Sequence, residues 1–160
     1  MIKLLVMDVD GTLTDGAIYI GAAGELLKAF HVKDGYAIAQ ILPEYSIVPV
    51  IITGRKSAIV ERRAEELHIT EFHQGVGDKL KKLKEIADKY RVHAENIAYI
   101  GDDLNDLECI QYSGISGCPA DAVEEVKSHV DYICKIYGGK GAVREFISWV
   151  IQNHMDNIMD

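Results

Sequence analysis

The chain has 160 residues, 48% hydrophobic and 26% charged, enough for one domain with a full core. Its 17 Lys and Arg against 25 Asp and Glu leave a net charge of −8, so no nucleic acid partner is expected, while a small phosphorylated ligand stays open. No run approaches membrane-spanning length, Lys3, Asp8 and Asp10 interrupt the first apolar run too early for a signal-peptide core, and three cysteines lack CxxC spacing; no membrane partner and a reducing, cytoplasmic location are expected.

Residues 2–8 read as a buried strand that runs into MDVDGTLTD at 7–15. Residues 17–20 and 26–32 flank GAAG and predict a β-hairpin. A helix is predicted over 34–42, with Asp34 as its N-cap. IVPVII at 47–52 predicts a second buried strand, although Pro49 opposes its first half. Helices are predicted at 56–67, with Ile59, Val60, Ala64 and Leu67 on one face, and at 78–90, with Leu80, Leu83, Ile86 and Ala87 on one face and lysines opposite. A short strand at 69–72 separates them. A strand follows at 96–101, then a helix at 104–113 closed by Gly114. A short strand at 115–117, a helix at 121–129, a strand at 131–134 and a helix at 141–153 complete the pattern. Strand and helix alternate after the hairpin, which predicts an α/β fold: a three-layer, Rossmann-like, doubly wound parallel sheet with a hairpin insertion at 17–32. The whole of 1–160 is expected to form one domain. Only 40 residues separate Thr12 from Thr53, and 25 separate Thr53 from Lys79, so no cap domain fits in either gap.

Such sheets bind ligands beyond the carboxyl ends of their strands. Polar groups gather there: Asp8, Asp10 and Thr12 after the first strand, Thr53-Gly54-Arg55 after the second, Asp78-Lys79 before the second long helix, and GDDLND at 101–106. Clustered carboxylates repel unless a cation lies among them. Six scattered histidines with no HxxxH or HExxH pair disfavour zinc, and oxygen ligands point to magnesium. A lysine and a hydroxyl beside such a site suggest a phosphoryl group. Residues i and i+2 of a strand share a side. Asp8 is then placed to attack phosphorus and form an aspartyl phosphate, with Asp10 as acid to the leaving oxygen and base to the water.

The motifs DxDGT at 8–12, Thr53, Lys79 and GDDxND at 101–106 resemble those of the haloacid dehalogenase-like phosphatases, in the same order. The resemblance implies magnesium held by the Asp8 carboxylate, the Asp10 backbone carbonyl and the Asp102 carboxylate. It implies that Thr53 and Lys79 hold phosphoryl oxygens, and that Asp106 orients metal-bound water from behind. Asp103 and Asn105 are candidates for support of the site or for capping the helix at 104–113. Longer stretches, including DVDGTLTDGAIYIGAAGELLKAFHVKDGYAI, IITGRKSAIVERRAEEL and GGKGAVREF, resemble the family of 3-deoxy-D-manno-octulosonate 8-phosphate phosphatases over roughly Lys3 to Ile151.

That resemblance implies a capless homotetramer whose hairpins join, a phosphorylated eight-carbon sugar acid as substrate, and a role in lipopolysaccharide inner-core precursor synthesis. Relatives acting on nine-carbon 9-phosphates tend to carry Glu at the position of Arg55, paired with Lys at that of Glu66; neither is present here. Thr12, Lys33, Arg55, Lys140 and Arg144 are the candidate substrate-binding residues. GGKG at 138–141 lacks P-loop spacing but offers backbone N–H groups at a helix start; in the family this tail reaches a neighbouring site. A phospho-receiver domain is the rival of another class, but it carries its acidic pair first and its acceptor aspartate later in the chain.

Overall fold

A computed structural model of the chain describes residues 1–155. The first strand, β1 (Leu4–Met7), is buried at every position. A strand covered on both faces has no reason to alternate polar and apolar residues, and LLVM does not. Leu5 and Met7 join one core cluster, with Ile38, Leu42, Val60, Ala64, Phe146 and Val150. Leu4 and Val6 join the other, with Leu83, Ile86, Cys109, Ile110 and Val126. The sheet is therefore the middle of three layers.

An antiparallel hairpin, β2 (Tyr19–Gly21) and β3 (Gly24–Leu27), follows β1. Next come α1 (Val32–Tyr36), a π-helical turn (Ala37–Ile41) and α2 (Leu42–Glu44). Then β4 (Val48–Ile52), α3 (Ala58–Glu66), β5 (Glu71–His73) and α4 (Lys79–Tyr90) alternate. The chain continues with β6 (Ile97–Ile100), α5 (Leu107–Tyr112), β7 (Ile115–Cys118), α6 (Glu124–Lys127), β8 (Tyr132–Ile133) and α7 (Ala142–His154). The six-stranded sheet is ordered β5-β4-β1-β6-β7-β8, and every pair is parallel. With the hairpin set aside this is the doubly wound order, which reverses direction beside β1. The crevice between the ends of β1 and β6 is where a ligand belongs. The expected α/β class is borne out, and the described residues form no cap domain.

Several local expectations are corrected. The hairpin strand ends at Leu27 rather than 32, because Lys28 turns inward to meet Asp10 and Glu25. The N-cap of α1 is His31, whose ring accepts from the Lys33 N–H. Asp34 instead accepts from the Arg144 N–H at 2.9 Å, at the start of α7. Pro49 is tolerated because β5 pairs only with Val50–Ile52, so no strand waits for the N–H that proline lacks. The Val48 N–H points the other way, to Lys3. Residues 104–113 form a 3-10 turn (Leu104–Asp106) before α5. Gly114 does not close that helix with a left-handed cap; an added Cβ there would lie 2.5 Å from the Glu95 carbonyl oxygen. The helix expected at 121–129 shrinks to α6, since the Val123 N–H is committed to Asp102 and the Ala122 N–H to Pro119.

On edge strand β5, Glu71 is 4% exposed. Its carboxylate meets His73 Nε2 and the Tyr90 hydroxyl, each at 2.9 Å, and the Lys89 ammonium. Burial alone would raise Glu71, but these donors outweigh it and hold the carboxyl below its ordinary 4.5. The stability it contributes is present above that value and lost as pH falls through its native value. Glu71→Gln is expected to cost about 1–2 kcal/mol at neutral pH, with the gap in urea midpoints closing as pH drops below 4.5.

Candidate active site

The Asp8 N–H continues the β1–β6 ladder to the Ile100 carbonyl at 3.1 Å, which sets Asp8 beside Gly101 and Asp102. Beyond it the chain folds tightly. The N–H groups of Thr12, Leu13 and Thr14 all donate to the Val9 carbonyl, and the Thr14 hydroxyl accepts from Gly11 and Gly16. Gly11 has φ +90, and a Cβ there would lie 2.0 Å from Asp102 Oδ2. Only a residue without a side chain lets the Asp102 carboxylate come this near the loop. The Thr12 hydroxyl then donates to Asp102 Oδ1 at 3.1 Å.

Lys79, the first residue of α4, is 5% exposed and reaches into the crevice. Its ammonium donates to Asp8 Oδ1 at 2.9 Å and to Asp106 Oδ1 at 3.0 Å. Burial alone would pull Lys79 down, yet Asp8 and Asp106 outweigh it and keep the group cationic. Asp106 Oδ1 also accepts from the Tyr99 hydroxyl at 2.6 Å, and its Oδ2 from the N–H groups of Asp102 and Asp103. Both oxygens of Asp106 are thus engaged by protein donors. It holds Lys79 and the backbone of Asp102. Asp103 accepts from the Leu104 N–H and forms a capping box with Asp106, so capping is one of its roles.

Oxygens of Asp8, Asp102 and Asp106 lie within 4.8 Å of one another. One buried ammonium cannot balance three carboxylates. Burial raises both Asp8 and Asp102, with Asp106 adding to the rise at Asp8 and Asp8 adding to it at Asp102. An all-oxygen cluster with uncompensated negative charge suits a hard divalent cation, so the residues present fit magnesium. With Asp106 engaged elsewhere, Asp8 and Asp102 are the carboxylates open to it.

A cleft of about 220 Å³ is lined by Asp8, Asp10, Thr53, Gly54, Arg55, Asp102, Asp103 and Asn105. Residues 8, 53 and 102, far apart in sequence, therefore meet at one rim. Lys33, Lys140 and Arg144 are not among its lining. Lys33 and Lys140 are exposed, and Arg144 stacks over the Tyr36 ring at 5.6 Å. The GGKG segment works from beneath: the Gly139 N–H donates to Thr12 O, and a Cβ on Gly138 would lie 2.0 Å from Gly11 O. It packs against this chain's own aspartate loop.

Sequence reasoning missed Tyr99, Glu25, Lys28 and Ser57. The Lys28 ammonium contacts Asp10 Oδ1 at 2.5 Å and Glu25 Oε2 at 3.1 Å, and the Ser57 hydroxyl donates to Glu25. No strand pattern signals them, since residues 25 and 28 would fall on opposite sides of a regular strand; they meet only because the strand ends at Leu27.

Residues 66–147 match the family of haloacid dehalogenase-like hydrolases. The chain is 46% identical, over 144 residues, to the 3-deoxy-D-manno-octulosonate 8-phosphate phosphatase of Escherichia coli strain K12, covering 90% of this chain and 76% of that one. The crystal structure of the Yersinia pestis phosphatase of the same name superposes with a TM-score of 0.91 at 43% identity, covering 94% of this chain and 81% of that one. The Moraxella catarrhalis phosphatase, in complex with a magnesium ion, a phosphate ion and a KDO molecule, superposes with a TM-score of 0.90 at 42% identity, covering 94% and 86%.

Gly138→Ala is expected to displace the aspartate loop, cost about 1–3 kcal/mol through overpacking, and lower turnover. Gly77→Ala, whose added carbon meets nothing within 4 Å, is expected to leave thermal midpoint and turnover near wild type.

Proposed function

The chain belongs to the haloacid dehalogenase-like hydrolases and, within them, to the 3-deoxy-D-manno-octulosonate 8-phosphate phosphatases, and from that premise we infer that it is a magnesium-dependent phosphomonoesterase releasing the eight-carbon sugar acid and inorganic phosphate. The observation that carries this reading is the buried Asp8, held by Lys79 at 2.9 Å and facing Asp102, at the carboxyl end of the central strand. The relatives' shared name supports the eight-carbon sugar acid as product, which we assign to lipopolysaccharide precursor synthesis.

The chain's own residues account for both halves of the reaction. Lys79 holds Asp8 Oδ1 and fixes the carboxylate toward the cleft. The oxygen that Lys79 leaves attacks phosphorus; the new P–O bond to Asp8 forms as the bond to the sugar oxygen breaks. Asp10, on the same rim, gives its proton to that departing oxygen. In the second half a water loses its proton to Asp10 and attacks the aspartyl phosphate, which frees phosphate and restores Asp8. Thr53 and Lys79 hold phosphoryl oxygens, and Thr12 keeps Asp102 in place. Asp8, the Asp10 backbone carbonyl and Asp102 would hold magnesium, which supplies charge neutralisation between nucleophile and phosphoryl group. Arg55, at the cleft edge and half exposed, is placed to meet the substrate's carboxylate.

The cleft is open, and assembly supplies its cover in this reading. Ile18, Tyr19, Ile20, Leu26 and Leu27 of the hairpin are all exposed, an apolar surface suited to the hairpins of other copies in a homotetramer. Lys33, Lys140 and Arg144, away from their own cleft, would then serve a neighbour's. The three unpaired, buried cysteines suit the cytoplasm, where we place the enzyme.

Phosphate release from the eight-carbon 8-phosphate is expected to exceed that from nine-carbon 9-phosphates and common sugar phosphates; equal rates across this panel would overturn the substrate assignment. Asp8→Asn should lose at least about 10³-fold in kcat while keeping its fold, and a chelator should abolish turnover until magnesium is restored. Light scattering should give four chains per particle, and Ile20→Asp/Leu26→Asp should lower that number.

A further inference from the structure

The hairpin's inner side carries two charged residues that the reaction as described does not use. The Lys28 side chain is only 2% exposed. It touches Asp10 Oδ1 and Glu25 Oε2. Arg55 closes the ring loosely, its Nε 4.0 Å from Asp10 Oδ2 and its terminal nitrogen 4.0 Å from Glu25 Oε2, with a side chain 49% exposed. Four charges therefore alternate in sign around a closed circuit, with one tight corner at Lys28 and one open corner at Arg55. Burial alone would pull Lys28 down, but Asp10 and Glu25 outweigh it and keep the ammonium charged. Glu25 is itself tied down. The Ser57 hydroxyl donates to its Oε1, Ser57 caps α3, and the Ser57 N–H donates to Gln74.

A lysine is withdrawn from water at a cost that its two partners must offset. Nothing about holding the hairpin down demands a cation on Asp10 in particular. What the contact does is occupy one oxygen of that carboxylate. With Lys28 on Oδ1, the other oxygen, Oδ2, lies on the side of Arg55 and the cleft. A carboxyl that must deliver a proton to one oxygen atom and later collect one gains from a fixed rotamer and a single outward oxygen.

We propose that Lys28 is a positioning residue for catalysis: clamped by Glu25 and Ser57, it holds Asp10 Oδ1 so that Oδ2 is presented to the leaving oxygen. This rests on the acid role given to Asp10 above. The hairpin thereby becomes part of the active site from within its own subunit.

Loss of a positioned acid is felt most by substrates whose leaving group needs a proton. Phenyl phosphate and p-nitrophenyl phosphate form a matched pair: neither carries a sugar or a carboxylate, and phenoxide is the poorer leaving group. The comparison uses kcat/KM, which reports the steps up to departure of the leaving group and not the later hydrolysis. Lys28→Met is expected to lower kcat/KM for phenyl phosphate by about 10- to 100-fold and for p-nitrophenyl phosphate by less than about threefold, within the range an acid group contributes. Lys28→Arg should restore most of the phenyl phosphate rate. Glu25→Gln, which loosens the clamp on Lys28, should shift the ratio between the two substrates in the same direction as Lys28→Met but by less. If Lys28→Met alone fails to fold by circular dichroism, Glu25→Gln/Lys28→Met removes both charges and carries the same comparison. Asp10→Asn is run beside them. If it shows the selective loss and the Lys28 variants lose both substrates equally, or lose neither, the proposal is overturned while the acid role of Asp10 stands. If Asp10→Asn shows no selectivity, the acid role itself falls and the proposal with it.

Discussion

The buried contact between Lys79 and two aspartates is the constraint on which this molecule is organised. Three ionisable groups that are each 5% exposed or less sit at the end of the central strand. Withdrawing such charges from water is repaid only if the geometry is tight and the remaining lone pairs are satisfied. Asp106 meets that condition in full, with Lys79, Tyr99 and two backbone N–H groups around its two oxygens. Burial and Asp106 keep the Tyr99 hydroxyl far above its ordinary value, so it stays a donor to that carboxylate. Asp8 meets the condition only on one side, where Lys79 lies. The deficit on its other side, shared with Asp102, is the electrostatic demand that magnesium answers.

Close backbone approach is the second requirement, and glycines meet it for steric more than conformational reasons. At Gly101 a Cβ would fall 2.4 Å from Asp106 Cγ, although its backbone is ordinary. At Gly138 the intruding atom would strike the Gly11 carbonyl. The aspartate loop is thus pressed between the GDD turn above and the GGKG turn below. The fixed loop allows Asp8 and Asp10 to differ: one is buried against Lys79, the other turns to the rim and Lys28.

Much of this was legible in the sequence. Strands covered on both faces announce themselves as unbroken apolar runs, as LLVM and VPVII do, and the charged residues that interrupt them mark the crevice. Asp8, Asp10, Thr53 and Asp102 were visible because each stands just past such a run, and the cleft contains all four. What stayed hidden was any role assigned by a distant partner. Asp34 looked like a local cap, yet its acceptor oxygen serves Arg144, 110 positions away. Tyr99 reads as one more apolar strand residue until Asp106 folds over it. Lys28 looks like a polar position on a two-sided hairpin strand, and nothing local says that Asp10 will neutralise it. The helix start at 121 slipped for the same reason: the Val123 N–H is spent on Asp102 and Asp121 accepts from Gly138, so those residues brace the site instead of extending a helix.

These two kinds of residue meet in the hairpin. Its outer side chains, Ile20 and Leu26 above all, are the most exposed of the apolar strand residues and gain by being covered. Its inner side chains, Glu25 and Lys28, are spent on Ser57 and Asp10. A strand pair this short, with no further strand paired to either edge and no sheet behind it, is marginal by itself. Whatever orders its outer face therefore also orders the ammonium that rests on Asp10. In the proposed assembly the same element would close the site from outside and align Asp10 from within, so that covering the cleft and preparing the proposed acid would be one structural event rather than two.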